Sequence, residues 1–280
     1  MSNIYTDIQS ALDRGEQVAV VTIVKTTGSS PRPAGTKLMV YADGRVTGTL
    51  GGAQLDRRAA QDALETLKDA RPRAALYAID ADTGETAGSC GGTMEVFIEI
   101  VRPEQRLFLV GGGYVAQALA RFAAHLDFRI LVIDDRRDLV NPQTFPDGAQ
   151  LHFGDIPSLV SELQPDASSW IVIVTRGHTL DKEALRVALQ SPAPYVGMIG
   201  SPGKVRRIFR ELLQEGIPRE RLEQAHAPIG LDLGAETPDE IALSIAAEML
   251  LLRRGGTARP LQQVHHMLDA VTAKGTASDD

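Results

Sequence analysis

One glycine-rich turn in the second half of the chain has the spacing of a phosphate-binding loop. Gly111, Gly113 and Ala116 form G-x-G-x-x-A directly after the apolar run LFLV and at the start of a helical pattern. The first glycine permits a tight turn, the second lets a phosphate approach the backbone, and the small third residue lets helix and strand pack closely. The free N–H groups and the dipole of a helix start favour an anion. The turn therefore predicts a Rossmann fold, and either a nucleotide or other phosphate-bearing cofactor here or a purely structural turn.

Three polar side chains are expected beside this turn. Asp134 lies 21 positions after Gly113, at the end of the next apolar run, where an acid can bind a ribose hydroxyl. Arg176 and His178 follow the fourth such run, and the fourth strand of a Rossmann sheet neighbours the first. A cation and an imidazole there suit an anionic ligand, whereas the alternative is that His178 and Asp181 only shape the start of the next helix. The acids and arginines at 134–137 leave the choice between NAD and NADP open.

The first half of the chain contains three further glycine-rich segments. They are TGSSPRPAGT (27–36), TLGGAQLD (49–56) and GSCGG (88–92). Such loops expose backbone N–H and C=O groups to a polar ligand, although each alone is also typical of a tight turn in a small domain. The candidate ligand-binding residues in these loops are Gly28, Ser29, Ser30, Arg32, Gly51, Gly52, Cys90, Gly91 and Gly92. No catalytic triad, HExxH motif or P-loop is present, so no catalytic residue is assigned.

Cys90 is the only cysteine of the chain. A thiolate is a soft ligand for a metal–sulfur centre, and it is also the form of cysteine that can carry a persulfide. The alternative is that Cys90 is a small buried residue that packs. A single cysteine excludes an internal disulfide and a CxxC zinc site, and it fits a reducing, cytoplasmic compartment. The metal-ligand set, if any, stays unknown.

The elements of the second half alternate regularly between strand and helix patterns. RLFLVG, RILVID, QLHFG, WIVIVT and YVGMIG are strand candidates, and helical patterns separate most of them. This alternation predicts a doubly wound parallel sheet over residues 107–255. The last helix begins at Pro238 with Thr237 as its N-cap. Its apolar residues require a cover, either the sheet or a partner subunit, and a homodimer is favoured.

The first half is predicted to be a small α/β domain over residues 1–100. A helix near the N-terminus is followed by a strand over 17–25 and a hairpin around Asp43–Gly44. A second helix places Leu55, Ala59, Ala63, Leu64 and Leu67 on one stripe, and strands follow over 74–79 and 93–100. The polar segment 101–106 is a linker, and 256–280 is a C-terminal extension whose end is expected to be frayed.

Composition and charge limit the possible partners. The chain has 280 residues, with 29 Lys and Arg against 36 Asp and Glu, so its net charge is −7. Stable nucleic-acid binding depends on a basic surface, which makes that class of partner a poor fit. No apolar stretch approaches the 18 or more residues of a membrane span, and the N-terminus lacks a signal-peptide pattern. The chain is therefore expected to be a soluble protein of the cytoplasm with no nucleic-acid or membrane partner.

Taken together, the motifs resemble those of the XdhC/CoxI family, the xanthine dehydrogenase accessory proteins. The resemblance covers essentially all of residues 1–255. The matching segments are GSSPRPAGTKLMV (28–40), GTLGGAQLD (48–56), CGGTMEVFIE (90–99), LVGGGYVAQALA (109–120), VTRGHTLDKEAL (174–185), GMIGSPGKV (197–205) and PIGLDLGAETPDEIALSIAAEML (228–250). The chain departs from the family pattern at Ala53, where a further glycine is usual, and at Asp56, which replaces a more usual glutamate.

The resemblance implies a function that the residues alone do not define. Proteins of this family bind the molybdenum cofactor and hold it while a cysteine desulfurase supplies its terminal sulfido ligand. They then pass it to xanthine dehydrogenase or a related hydroxylase, and they are typically dimeric and cytoplasmic. The resemblance therefore implies a chaperone rather than an enzyme. The alternatives are an NAD(P)-dependent oxidoreductase that uses the Rossmann turn, or a nucleotide-sensing module.

Overall fold

The computed structural model describes residues 3–79 and 92–262. The elements of the first domain are α1 (Ile4–Asp13), β1 (Val18–Thr27), β2 (Lys37–Tyr41), β3 (Val46–Gly48), α2 (Ala53–Asp69), β4 (Arg73–Ile79) and β5 (Gly92–Val101). The five strands form one antiparallel sheet in the order β3-β2-β1-β5-β4. The predicted hairpin is the β2–β3 pair. The small N-terminal α/β domain is thus confirmed.

One face of this sheet packs against α2. Met94, Val96 and Ile98 alternate along β5 and are completely buried under the helix, as the period-two pattern predicts. On α2 the prediction was wrong for Leu64, which is exposed, whereas Thr66 is buried. Leu64 lies at the edge of the apolar stripe, and Thr66 tolerates burial because its hydroxyl donates to the carbonyl of Asp62 at 2.7 Å. The other face is covered in part by α1.

The second domain is an open parallel sheet with helices on both faces. Its elements are β6 (Gln105–Val110), α3 (Tyr114–Ala124), β7 (Phe128–Asp134), β8 (Gln150–Phe153), α4 (Ile156–Glu162), β9 (Ser169–Ile173), α5 (His178–Ala188), β10 (Tyr195–Met198), α6 (Pro202–Gln214), α7 (Arg219–Leu222), β11 (Ala225–His226) and α8 (Pro238–Arg254). The strand order is β11-β10-β9-β6-β7-β8. The first and fourth strands of the domain, β6 and β9, are neighbours as predicted. The two-residue β11 was not predicted, because it is too short to carry a pattern.

The C-terminal helix is covered by its own domain. Ile245 and Met249 of α8 are buried with α3 and one face of the sheet, while α4 to α7 pack on the other face. The start of α8 is a capping box in which Thr237 and Glu240 each bind the other's backbone N–H, which confirms the predicted N-cap. Within the described ranges, no helix combines the length and apolar character that a membrane crossing requires.

The two domains are joined by three residues between β5 of the first sheet and β6 of the second. The strand β5 ends at Val101, and β6 begins at Gln105 at the N-terminal edge of the parallel sheet. Gly15 of the first domain lies against Asp166 near the same edge, where an added Cβ would be 3.0 Å from the Asp166 Cγ. The glycine-rich segments of each domain therefore lie at the end of its sheet that is remote from the linker.

The glycine-rich segments of the first domain pack directly on one another. A Cβ on Gly92 would lie 2.2 Å from the carbonyl oxygen of Ser29, and a Cβ on Gly51 would lie 2.5 Å from Pro31. Gly51 also has a φ of +117°, which a side chain rarely allows. These glycines are needed because two loop backbones approach each other more closely than a methyl group permits.

A buried carboxylate ties the turn after β6 to β7. Both oxygens of Asp134, which is 1% exposed, are occupied. They accept hydrogen bonds from the N–H of Gly112 at 2.7 Å and from the backbone and guanidinium of Arg136 at 2.9 Å. Burial alone raises the pKa of this carboxyl, but the Arg136 and Gly112 donors outweigh burial and lower the pKa below its usual value. The carboxylate is thus held ionised as a structural clamp.

Replacing Gly92 with alanine should destabilise the first domain. The added methyl group meets the Ser29 carbonyl, so we expect a loss of about 2 kcal/mol in calorimetric unfolding. Gly52→Ala is the matched control, since Gly52 has an extended backbone and no atom lies within 4 Å of its Cβ position. Equal stability of the two variants would contradict the close packing of the loops.

Replacing Asp134 with asparagine should destabilise the second domain by about 2 kcal/mol at neutral pH, because donors to a buried charge lose their partner. The folded-state pKa is lowered, so this stabilisation is present above the unfolded-state pKa of about 4 and is lost as the pH falls through the folded-state value. The difference from wild type should therefore shrink in acid. Urea unfolding followed by the fluorescence of Trp170, the only tryptophan, measures it. Exposed Asp138→Asn is the control, and an equal loss there would refute the clamp.

Candidate functional site

The first domain brings most of its predicted ligand-binding residues together. Gly28, Ser29 and Arg32 are exposed on the loop after β1, and Gly52 is exposed at the start of α2. Ser30 is half-buried, and its hydroxyl donates to the carbonyl of Arg32 at 2.8 Å. Gly51 and Gly92 pack against this loop, so parts of all three glycine-rich segments lie side by side. Cys90 and Gly91 lie outside the described residues.

Asp56 is a positioning residue of this loop cluster that the sequence did not identify. Its carboxylate accepts hydrogen bonds from the Thr49 hydroxyl and from the Leu50 N–H, each at 2.7 Å. The Thr49 hydroxyl also accepts from the N–H of Gly51 at 3.0 Å. The carboxylate therefore fixes the segment that enters α2, whose N-cap Gly52 has no side-chain cap. An acid in the first turn of a helix that begins at a glycine was the available signal.

The predicted Rossmann turn leaves room for a ligand at one of its glycines. Gly111 has a φ of +112°, and its Cβ position is 2.6 Å from the Val174 carbonyl oxygen, so this glycine is needed for the turn. Gly113, by contrast, has no atom within 4 Å of its Cβ position. It is the N-cap of α3 without a side-chain hydrogen bond, and Ala116 is buried beneath it against the sheet. The open side of Gly113 thus presents a helix start to solvent, which favours an anion.

Asp134 does not have the geometry expected of a ribose-binding acid. The ribose contact was predicted from its position at the end of β7, and the residue does lie there. Its oxygens, however, are used by Gly112 and Arg136, and no acceptor is left exposed. The carbonyl oxygen of Leu139 also lies 2.8 Å from the Cβ position of Gly112, so the chain after β7 covers this side of the turn. The arrangement supports a role for Asp134 in holding the turn rather than a ligand.

Arg176 and His178 have different surroundings although they are two residues apart. The Arg176 guanidinium is 3.0 Å from a carboxylate oxygen of Asp135, which follows β7. The side chain therefore reaches across the end of β6, near the glycine turn, as predicted. His178 is instead 3.0 Å from Glu211 of α6, so its ring pairs with that helix and not with the turn. This geometry matches the alternative in which His178 shapes the start of α5.

The second residue of that alternative, Asp181, has buried partners that the sequence did not predict. Asp181 is completely buried, accepts a hydrogen bond from the Thr175 hydroxyl at 2.5 Å and is ion-paired with Lys204. It connects the end of β9 to α5 and α6. Asp181 shares the apolar stripe of α5 with Ala184 and Leu185, and an acid on such a stripe was a signal of a buried partner.

The chemistry of these sites is that of anion and polar-ligand binding. The donors are helix starts, loop N–H groups and the exposed guanidinium of Arg176. In residues 3–79 and 92–262, no three His, Cys, Asp or Glu side chains gather in a way that could hold a metal ion. A polar ligand with a phosphate fits this set of groups.

Comparison with known proteins assigns a family. The model described as the XdhC Rossmann domain matches residues 107–249, and the model of the XdhC and CoxI family matches residues 11–80. The uncharacterized protein YqeB of Escherichia coli is 33% identical over 279 residues, which are 98% of this chain and 51% of YqeB. A Bacillus subtilis protein described as a probable xanthine dehydrogenase component is 30% identical over 162 residues, 58% of this chain and 47% of that protein.

A third relative is similar over most of its own length. The E. coli protein described as the molybdenum cofactor insertion chaperone PaoD is 25% identical over 274 residues, 87% of this chain and 86% of PaoD. The chain spans about half the length of the first two relatives. Since the Rossmann model covers half of the chain and the second model covers most of the first domain, this protein belongs to the XdhC and CoxI family.

Proposed function

We propose that this protein binds the molybdenum cofactor, holds it for sulfuration and delivers it to xanthine dehydrogenase or a related molybdenum hydroxylase. Membership of the XdhC and CoxI family and the similarity to a protein named a molybdenum cofactor insertion chaperone indicate an accessory protein rather than an enzyme. The steps of binding, sulfuration and delivery are the proposal.

The open side of Gly113 is the observation that carries the cofactor site. The cofactor has a phosphate and a pterin with many hydrogen-bonding edges. At Gly113 an uncapped helix start faces solvent, with the Arg176 cation across the end of β6. Both groups stabilise a phosphate. The loop cluster of the first domain also exposes backbone groups with Ser29 and Arg32, but it lies at the far end of its own sheet and is a separate polar surface from the Gly113 site. In this proposal the residues of the protein bind and orient the cofactor, and the labile metal centre is part of the cofactor that is delivered.

The geometry disfavours NAD at this turn. NAD in a Rossmann domain binds through an acid at the end of the second strand that contacts its ribose 2′-hydroxyl, whereas NADP uses a nearby arginine. Here the equivalent carboxylate, Asp134, is saturated by Gly112 and Arg136. A ligand that places a single phosphate at the turn does not need that acid, so the arrangement favours the pterin cofactor over NAD.

The partners and the assembly stay predictions. A cysteine desulfurase as sulfur donor, a homodimer and a cytoplasmic setting are implied by the resemblance. The apolar helix that favoured a dimer is α8, and Ile245 and Met249 are covered by their own domain. Leu243 and Leu250 of the same helix remain exposed and are the residues that a second copy of the chain would cover.

Gly113→Asp should abolish cofactor binding while the fold persists. The position has room for a side chain, and aspartate is a good N-cap, so stability should be kept or rise. Its negative charge lies where the phosphate must approach, so we expect at least a tenfold loss of affinity. Gly113→Asn, a neutral N-cap of the same size, should lose less. Binding is measured from the visible absorption spectrum of the cofactor under anaerobic conditions. Unchanged affinity in folded Gly113→Asp would place the cofactor elsewhere.

Cys90→Ser tests whether the thiol acts on the cofactor. Serine keeps the size but removes a soft ligand and a persulfide carrier. We expect a stable protein that binds the cofactor or protects its sulfido form poorly, so that the client hydroxylase gains less activity. The measurement is hydroxylase activity reconstituted with wild-type or variant protein at matched concentration. Equal activity would leave Cys90 as a packing residue.

A further inference from the structure

An ion pair bridges the end of β6 at the glycine turn. Arg176 follows β9 and Asp135 follows β7, and these strands flank β6 on either side. Neighbouring strands are about 4.8 Å apart, so the two backbones are separated by about 10 Å. The 3.0 Å contact between the Arg176 Nη2 and the Asp135 Oδ2 closes this gap with side chains alone. The bridge therefore spans the strand from whose end Gly111–Gly113 and α3 emerge.

The bridge is built from groups that can separate. The Arg176 and Asp135 side chains are 53% and 30% exposed, and an exposed pair of this kind contributes little to stability. Asp135 also has a second cation nearby, since the Arg136 Nε is 3.9 Å from its Oδ1. A carboxylate that leaves Arg176 thus keeps a partner. Asp134, in contrast, is fixed by four donors and cannot exchange.

We propose that the Asp135 carboxylate is an internal substitute for the ligand phosphate. In the free protein it rests on Arg176; a phosphate monoester at Gly113 takes its place, and Asp135 turns to Arg136. The proposal rests on the proposed function, because it takes the glycine turn as the phosphate site. It adds a residue that sets the affinity for the ligand, because Asp135 competes with every anion for Arg176. Asp135 is displaced only by an anion that binds both the N-terminus of α3 and the guanidinium of Arg176.

The competition predicts that substitutions of Asp135 and Arg176 change the affinity for phosphate in opposite directions. Asp135→Asn removes the competing charge and should tighten phosphate binding about fivefold, which is the scale of one exposed ion pair. Arg176→Gln should weaken binding about tenfold, since a charge-assisted contact is lost. In the Arg176→Gln background, Asp135→Asn should have much less effect, because the two changes act through one contact. Both single variants should keep the wild-type melting temperature within a few degrees.

The experiment is an NMR titration of the full chain with inorganic phosphate at constant ionic strength, following the amide signals of residues 111–115. Asp138→Asn is the matched control, because it removes an exposed charge from the same segment without touching Arg176. The proposal is supported if Asp135→Asn binds about fivefold more tightly and Asp138→Asn binds like wild type. It is overturned if Asp135→Asn equals wild type, if Asp138→Asn matches Asp135→Asn, or if the amides of the turn do not respond.

The outcomes separate this proposal from the proposed function. Client hydroxylase activation is measured with the same Asp135→Asn and Arg176→Gln proteins. If phosphate does not bind at the turn but both proteins still activate the client, the exchange is refuted and the chaperone function stands. If phosphate follows the predicted order but wild-type protein does not activate any client, the exchange stands and the chaperone function fails.

Discussion

The shape of the glycine turn in the second domain depends on the carboxylate of Asp134. It is buried at the end of β7, it fixes the N–H of Gly112, and it holds Arg136 against the strand end. Because Gly112 is fixed, the start of α3 has one position relative to the sheet. Because Arg136 is fixed, the chain after β7 folds back so that Leu139 covers Gly112. One charged group thus sets the shape of the turn and at the same time leaves no exposed carboxylate oxygen of its own at the end of β7.

Much of the fold was visible in the sequence because burial imposes a period on the chain. The alternation of Met94, Val96 and Ile98 predicted a half-buried strand, and regular strand and helix patterns predicted a parallel sheet with β6 beside β9. The signal for the N-cap Thr237 is equally local. Leu64 was misplaced because a stripe on a helix has no sharp edge. The two-residue β11 has no period at all, and only the parallel pairing with β10 makes it a strand.

The candidate site was less predictable, since spacing gives positions but not partners. Asp134 was located correctly, yet its engagement by Arg136 depends on a backbone turn that no motif encodes. Glycines raise the same difficulty. Gly92 and Gly113 look equivalent in sequence, but one is filled by a neighbouring carbonyl and the other opens to solvent. Only Gly113 leaves room for a ligand. The sequence does not show whether a glycine is needed for close packing, as Gly92 is, or for an open surface, as at Gly113; only the three-dimensional structure does.

The short connection between β5 and β6 has a consequence for transfer of a bound molecule. Three residues separate Val101 from Gln105, so the two strand ends stay within about 14 Å of each other in any arrangement of the domains. The glycine-rich loops, however, lie at the opposite end of each sheet, so the connection does not hold one of these ends close to the other. A molecule that moves from one end to the other must dissociate into solvent, and the short connection does not raise its local concentration.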